Sequence, residues 1–357
     1  MWNTTAATKI LGIDYPILQG PFGGGLSTVE LTTAVSKWGG LGGFGAYTLT
    51  PAEIYQVHQQ ICSNTDKPYN LNLWVSDTDS IGTVDDALFE GVKEAYRPYF
   101  EQLGLEMPPK PSFKSHFENQ LQAVLDIKPK VFSFMFGLLS EAIVEECHRK
   151  GMVLIGTATS VDEAVALEHV GVDLIVASGF EAGGHRPSFL EKAEHSLVGT
   201  FALVQLIREK VKIPVIAAGG IVNGRSMASA LILGADAVQI GTAFLACDES
   251  GATRVHRDFL FSASAKYTDL TRSYTGRLGR GGRTTISQYG IRNPDNTLPF
   301  PLQSAFMADL RKAALAQRRE DLVFFWSGQI APLLKFREAK LLMNSLIEET
   351  QAILQGA

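Results

Sequence analysis

The chain is expected to fold as an α/β protein: a (β/α)8 TIM barrel with a helical insertion after the third strand and a mostly helical C-terminal portion. Three features support this. Residues 213–250 run apolar stretch, glycine turn, helix-forming stretch, apolar stretch, glycine turn, with the runs 213–218 and 236–240 each closing on glycine. That is the pattern of consecutive βα units. Upstream, six further short apolar runs alternate with helix-like segments, and eight strands each followed by a helix favour a closed barrel over a doubly wound sheet. The sixth run, 172–177, is almost wholly apolar, as a strand covered on both faces should be.

The elements follow in order. Residues 16–19 lead into Gly20-Pro21-Phe22-Gly23-Gly24-Gly25, a loop that must turn sharply. Ser27 or Thr28 caps the next helix, which uses Ala34, Val35 and Trp38 as apolar positions and stops at Gly39-Gly40. The second strand, 41–44, is softened by glycine and therefore closely packed. Thr50-Pro51 opens a helix to about residue 63, with proline where its missing N–H does no harm. In the third strand, 67–75, alternation puts Asn70 and Asn72 on one face. Residues 76–114 break the rhythm with an amphipathic piece at 84–100 and the turn Met107-Pro108-Pro109-Lys110-Pro111. They are too short for a core of their own and read as an insertion or lid. Helix 117–126, strand 130–136, helix 140–150, strand 151–156 and helix 160–170 restore it, the last with a Ser160/Glu163 capping box. A long polar loop, 178–197, precedes the helix 199–210 and the final two strands. The expected division is a barrel over 1–250 and a mostly helical portion over 251–357 that packs on the barrel and completes the site. That portion carries a basic, glycine-rich loop at 276–283.

A 45% hydrophobic, 19% charged composition is that of a globular chain with a sizeable core, and a net charge of −5 gives no footprint for nucleic acid or an anionic membrane. The three cysteines, Cys62, Cys147 and Cys247, have neither disulfide-framework nor metal spacing and read as buried packing residues. No apolar run reaches the roughly 20 residues of a membrane span, and residues 1–9 lack the features of a signal peptide. A cytoplasmic protein is expected.

Catalytic groups in such barrels sit at the C-terminal ends of strands. This selects 19–25, Asn72, 135–137, 178–185, Gly219-Gly220 and 239–242. His185, in Glu181-Ala182-Gly183-Gly184-His185-Arg186, is the histidine among them. Beside a flat cofactor its imidazole could take a proton from a carbon acid near neutral pH; a solvent-facing loop histidine is the alternative. Glu181 could orient the loop through a hydrogen bond, be solvated or act as an acid, and the first two are the more expected roles. The glycine notches at 219–220 and 241–242 let bare N–H groups approach an anion, and phosphate held after strands seven and eight recurs in barrels. Arg277, Arg280 and Arg283 offer a second anion site, but a solvated basic loop is the more expected reading. There is no nucleotide P-loop, no strand-linked Gly-x-Gly-x-x-Gly and no zinc spacing, so no metal is expected.

Taken together, Gln19-Gly20-Pro21-Phe22-Gly23-Gly24, Asn72-Leu73-Trp74, Glu181-Ala182-Gly183-Gly184-His185-Arg186, Ala217-Ala218-Gly219-Gly220-Ile221 and Gln239-Ile240-Gly241-Thr242 resemble the nitronate monooxygenases, formerly 2-nitropropane dioxygenases. Thr275-Gly276-Arg277-Leu278 and Trp326-Ser327-Gly328-Gln329 fit as well, so the likeness covers nearly the whole chain. The family belongs to an FMN barrel superfamily that also contains FMN-dependent enoyl-ACP reductases. The resemblance implies FMN across the barrel mouth, with its phosphate at Gly219, Gly220, Gln239, Ile240, Gly241 and Thr242. Asn72, Ser178 and Gly183 would meet the ribityl chain or flavin ring, and Pro21, Phe22 and Gly23 would lie along the isoalloxazine. His185 falls on the family's catalytic histidine, which holds an anionic substrate near flavin N5 and acts as base toward a neutral nitroalkane. The implied reaction oxidises alkyl nitronates with O2, through a flavin semiquinone, to carbonyl compounds and nitrite. The implied partners are a small-molecule substrate and O2, and a homodimer is left open.

Three positions depart from the family pattern. Phe22 stands where methionine is usual, Ser178 where many members carry glutamine, and Met135 in place of a histidine. The last two bear on substrate range rather than FMN binding. The rival expectation is an NAD(P)H-dependent FMN reductase on the same barrel, acting on enoyl-ACP or quinone.

Overall fold

The parallel sheet of the computed structural model, which describes residues 1–75 and 84–356, curls into a barrel. Its strands are β1 (Ile17–Gln19), β2 (Gly42–Gly45), β3 (Tyr69–Trp74), β4 (Val131–Met135), β5 (Val153–Ala158), β6 (Leu174–Ser178), β8 (Val215–Ala218) and β9 (Ala237–Ile240). A two-residue strand, β7 (Gly184–His185), lies outside the barrel. The order is β1-β9-β8-β6-β5-β4-β3-β2. A parallel bridge between Leu18 and Leu41 closes the ring: Leu41 N donates to Ile17 O and Gln19 N to Leu41 O, both at 2.9 Å.

Alternation along each strand builds two layers of core. Leu71, Leu73, Phe132, Phe134, Ile175 and Val215 face the helices and join the main hydrophobic cluster. Leu18, Leu41, Val131, Ile155, Leu174, Val176 and Ile216 face inward and fill the barrel. Ala7 and Leu11 pack into this inner cluster from a short helix, Ala6–Leu11, whose Thr5/Thr8 capping box was not anticipated from the sequence. Toward the C-terminal ends of the strands the inward residues become polar.

Glycine in β2 answers a close approach. A Cβ on Gly42 would lie 1.9 Å from the backbone oxygen of Thr32 in the helix Val29–Lys37. Gly42→Ala should therefore cost about 3 kcal/mol, read as a lower denaturant midpoint with an unchanged m-value.

Thr28, not Ser27, caps that helix by accepting from Leu31 N at 2.9 Å. Ser27 instead spans Phe22 N and Gly43 O. Ser160 caps the helix Val161–Val170 as expected, but the Glu163 carboxylate does not close a capping box with it. Cys147 and Cys247 are buried; Cys62 is exposed, against expectation, because its helix turns that face outward.

A second core lies beside the barrel. The helix Asp86–Gln102 buries Phe89, Val92, Tyr96 and Phe100 along one stripe, and they pack with Tyr274, Ile286, Leu298, Leu302, Phe306 and Leu310. The described part of the insertion thus shares its core with the C-terminal portion; residues 76–83 lie outside the described residues. Buried apolar residues of 251–356 are shared between these two cores and a smaller cluster in which Ala252, Leu260, Ala265 and Ala331 pack with Leu245 and Ala246. The last helix, Ala339–Gln355, returns to the barrel: Leu342, Met343 and Leu346 enter the main cluster, and Glu349 accepts from Gly224 N at 3.0 Å. It packs against the helices Val29–Lys37 and Gly224–Ile232 and so closes the outer ring after β9.

The stretch 276–283 is not a solvated loop. Its Gly279–Gly282 segment is a fully buried strand, β11, pairing antiparallel with β10 (Thr268–Thr271) and β7. Arg280 is 2% exposed, donating to Phe180 O and Thr268 Oγ1. Arg283 reaches Asp269 at the surface. Among the described residues no helix is long and apolar enough to cross a membrane.

Candidate active site

The polar end of the barrel interior is a ring of inward residues set by register. Asn72 pairs with Ser133, Trp74 with Met135, and Ser178 with Ala218, which in turn pairs with Gln239. Asn72 Nδ2 donates to Ser133 Oγ at 2.9 Å. Its Oδ1 is buried and has no partner among the described residues. An acceptor stripped of water and left unmatched costs about 1–3 kcal/mol unless something binds there, so this ring fits a ligand carrying hydroxyl or N–H groups.

Above Asn72 stands an aromatic enclosure around His185. Trp74 stacks on Tyr47 at 4.2 Å between centroids and meets the imidazole edge-on at 5.3 Å. Trp326, Phe300 and Phe136 complete the walls at 4.7, 6.0 and 6.2 Å. The Arg277 guanidinium lies over Phe136 at 3.7 Å and over Phe300 at 4.6 Å, a cation–π arrangement. His185 reaches this place because β7 hangs on β11, with Gly279 opposite His185 and Arg186 N bonded to Leu278 O at 2.8 Å. Its Nε2 lies 2.9 Å from Thr275 Oγ1. Burial among the rings, and then the charge of Arg277, push its pKa down to about 3. The imidazole is therefore neutral at ordinary pH, not the solvent-facing loop residue that the sequence left open.

The glycine edges lie at the same end. Gly219 and Gly220 have φ of 107° and 71°, a conformation that glycine adopts without strain. The Thr200 hydroxyl, 3.0 Å from Gly219 O, is also 2.8 Å from Glu181 Oε2. Glu181 further accepts from Thr200 N at 2.9 Å, so its carboxylate anchors the loop instead of serving as an acid. Across the mouth the Phe22 ring packs over Gly20 and Gly241. Gly23 abuts Trp74, and Pro21 is half-buried on the same loop. Gly183 packs against Ser327-Gly328, and Gly328 N donates to Thr242 Oγ1 at 2.9 Å. Ile240 turns its side chain into the helical layer and offers the mouth only backbone.

Tyr47 was missed, although it follows the C-terminal end of β2 and the strand-end rule would have reached it. Thr275, Arg277, Phe300 and Trp326 lie far along the chain, and no local rule ties them to His185. Behind the site, buried Arg186 donates to Ser178 O, Gly179 O and Ser196 O, and buried Glu163 accepts from Thr159 N, Phe189 N and Leu190 N. These two charges hold the loop that carries His185 on the ends of β5 and β6.

A neutral histidine above a polar, ligand-hungry strand-end ring defines a barrel enzyme, an oxidoreductase by its relatives. The model of the nitronate monooxygenase family matches residues 4–349, and the chain belongs to that family. A probable nitronate monooxygenase of Staphylococcus haemolyticus is 36% identical over 357 residues, 99% of each chain. The structure of a nitroalkane oxidase from Streptomyces ansochromogenes superposes with a TM-score of 0.89 at 30% identity, over 99% of each chain. FabK from Thermotoga maritima superposes at 0.75 with 27% identity, over 99% of this chain and 98% of that one.

Proposed function

We propose that the barrel mouth holds FMN and that the enzyme oxidises alkyl nitronates with O2 to carbonyl compounds and nitrite. The observation that carries this is the unmatched acceptor of Asn72 two residues from Trp74, whose ring meets the neutral imidazole. Gly219, Gly220 and the backbone of 239–242 would receive the phosphate. Asn72, Ser178 and Gly183 would receive the polyol chain or ring, and 21–23 would lie along the ring. The bound flavin supplies the one-electron chemistry with O2.

The chain's own residues do the rest. The aromatic walls exclude water, which strengthens any charge interaction inside. The Arg277 guanidinium favours an anion beside His185. The neutral imidazole stands beside a bound nitronate, and takes a proton when a neutral nitroalkane is offered.

Purified protein should be yellow or become so when FMN is added, and should take up O2 with a nitronate in the absence of any dinucleotide. A preparation that stays colourless with FMN would sink the reading. The likeness to FabK keeps the reductase reading in view; rapid anaerobic bleaching of the flavin by NADH or NADPH would favour it instead.

A further inference from the structure

We propose that Thr275 sets the tautomer of His185, keeping the proton on Nε2 and the bare lone pair on Nδ1, so that Nδ1 is the atom that takes a proton from the substrate. This rests on the reading of His185 as base given above. A hydroxyl has one hydrogen to donate and two lone pairs to accept with. Thr275 Oγ1 has three neighbours: His185 Nε2 at 2.9 Å, Arg277 O at 3.3 Å and Arg277 N at 3.4 Å. The carbonyl can only accept and the amide can only donate. All three bonds form together in one arrangement alone: the hydroxyl donates to Arg277 O and accepts from Arg277 N–H and from Nε2–H. If it donated to a bare Nε2 instead, its bond to the Arg277 carbonyl would be lost.

The turn that carries the hydroxyl keeps its oxygen within reach of all three groups. Thr275 N and Gly276 N both donate to Arg272 O, at 3.2 and 2.8 Å. No hydrogen-bonding group among the described residues engages Nδ1; the imidazole meets the rings of Trp74, Phe136, Phe300 and Trp326, and the Arg277 charge acts on it from nearby. The partner of one ring nitrogen thus decides what the other can do.

In the step that follows, the Nδ1 lone pair takes the α-hydrogen of a neutral nitroalkane as a proton. The C–H bonding pair becomes the carbon–nitrogen double bond of the nitronate, and the negative charge settles on its oxygens. The imidazolium keeps its Nε2–H bond to Thr275 and later returns the added proton to solvent. No electron is gained or lost. The nascent nitronate beside the imidazolium favours the protonated ring, which offsets the burial that otherwise disfavours it.

The test is long-range ¹H–¹⁵N NMR of holoenzyme labelled at histidine nitrogens, paired with kinetics. The wild type should show His185 protonated at Nε2. In Thr275→Val, which keeps the shape, that preference should be lost. Its kcat/KM for nitroethane should fall about tenfold or more, while oxidation of preformed ethyl nitronate changes less than about twofold because no proton is removed. Thr275→Ser should restore both the NMR pattern and the nitroethane rate. A wild-type His185 protonated at Nδ1, or a Thr275→Val enzyme with the wild-type pattern and rate, would overturn the proposal. Wild-type holoenzyme that consumes O2 with neither substrate would overturn the base reading, and with it the task of Nδ1, whereas the tautomer itself is decided by NMR alone.

Discussion

His185→Ala is expected to keep its flavin and to lose about 10²–10⁴-fold in kcat/KM for a neutral nitroalkane, with a smaller loss for the preformed nitronate. The reason is the division of labour in the proposed chemistry. A nitroalkane must surrender a carbon-bound proton before oxidation, and the imidazole is the group enclosed where that proton leaves. A nitronate arrives deprotonated and forfeits only the ring that helps to position it. Flavin retention follows because the glycine edges and the Asn72 ring belong to the barrel strands, whereas His185 hangs on β7 outside them. Absorbance of the purified variant and paired rates with the two substrates decide the matter; equal losses on both would remove the base from the account. A pH profile adds a second readout. Burial and Arg277 push the imidazole down to about 3, so its basic form is fully present well below the ordinary histidine range. The acid limb of kcat/KM for a nitroalkane should therefore fall below pH 6.5, the ordinary value, not at it.

The second large effect concerns Glu163. Glu163→Ala is expected to cost about 3–5 kcal/mol of stability and to lower turnover as well. The carboxylate is 1% exposed. It accepts from Thr159 N and Phe189 N at 2.6 Å, from Thr159 Oγ1 at 2.7 Å and from Leu190 N at 3.2 Å. Truncation strands those donors without water and removes the negative charge that most favours the buried Arg186 guanidinium. Because Phe189 and Leu190 follow His185 so closely, the loosened loop should also raise KM for the nitronate. Glu163→Gln keeps one acceptor oxygen and should lose less on both counts. Denaturant midpoints with steady-state kinetics test this, and a Glu163→Ala enzyme of wild-type stability would contradict it.

How far the sequence could be read is clearest at these residues. Asn70 and Asn72 fall on one face because strand alternation is local; that this face turns into the barrel follows from the closed sheet. The glycine edges were legible because each stands where an apolar run stops. Ser160 and Glu163 looked like a capping box, but Glu163 turned to backbone donors some 26 residues away, which no local spacing encodes. The stretch 276–283 looked solvated because arginine and glycine are usually exposed. Its Gly279–Gly282 segment is instead a buried strand, made tolerable by the Phe180 carbonyl and Thr268 hydroxyl that Arg280 meets.

The sequence by itself determined the barrel, its strand ends and the loop that bears His185, since these depend on periodicity and on glycine where the chain must turn. Only the tertiary structure decided what surrounds that histidine: a ring wall drawn from Tyr47, Trp74, Phe136, Phe300 and Trp326, a hydroxyl from Thr275, and a charge from Arg277. These groups meet because two cores pack side by side and β11 carries β7 between them. Contacts across such sequence distances are chosen by packing and burial of the whole chain, not by the preferences of any one segment.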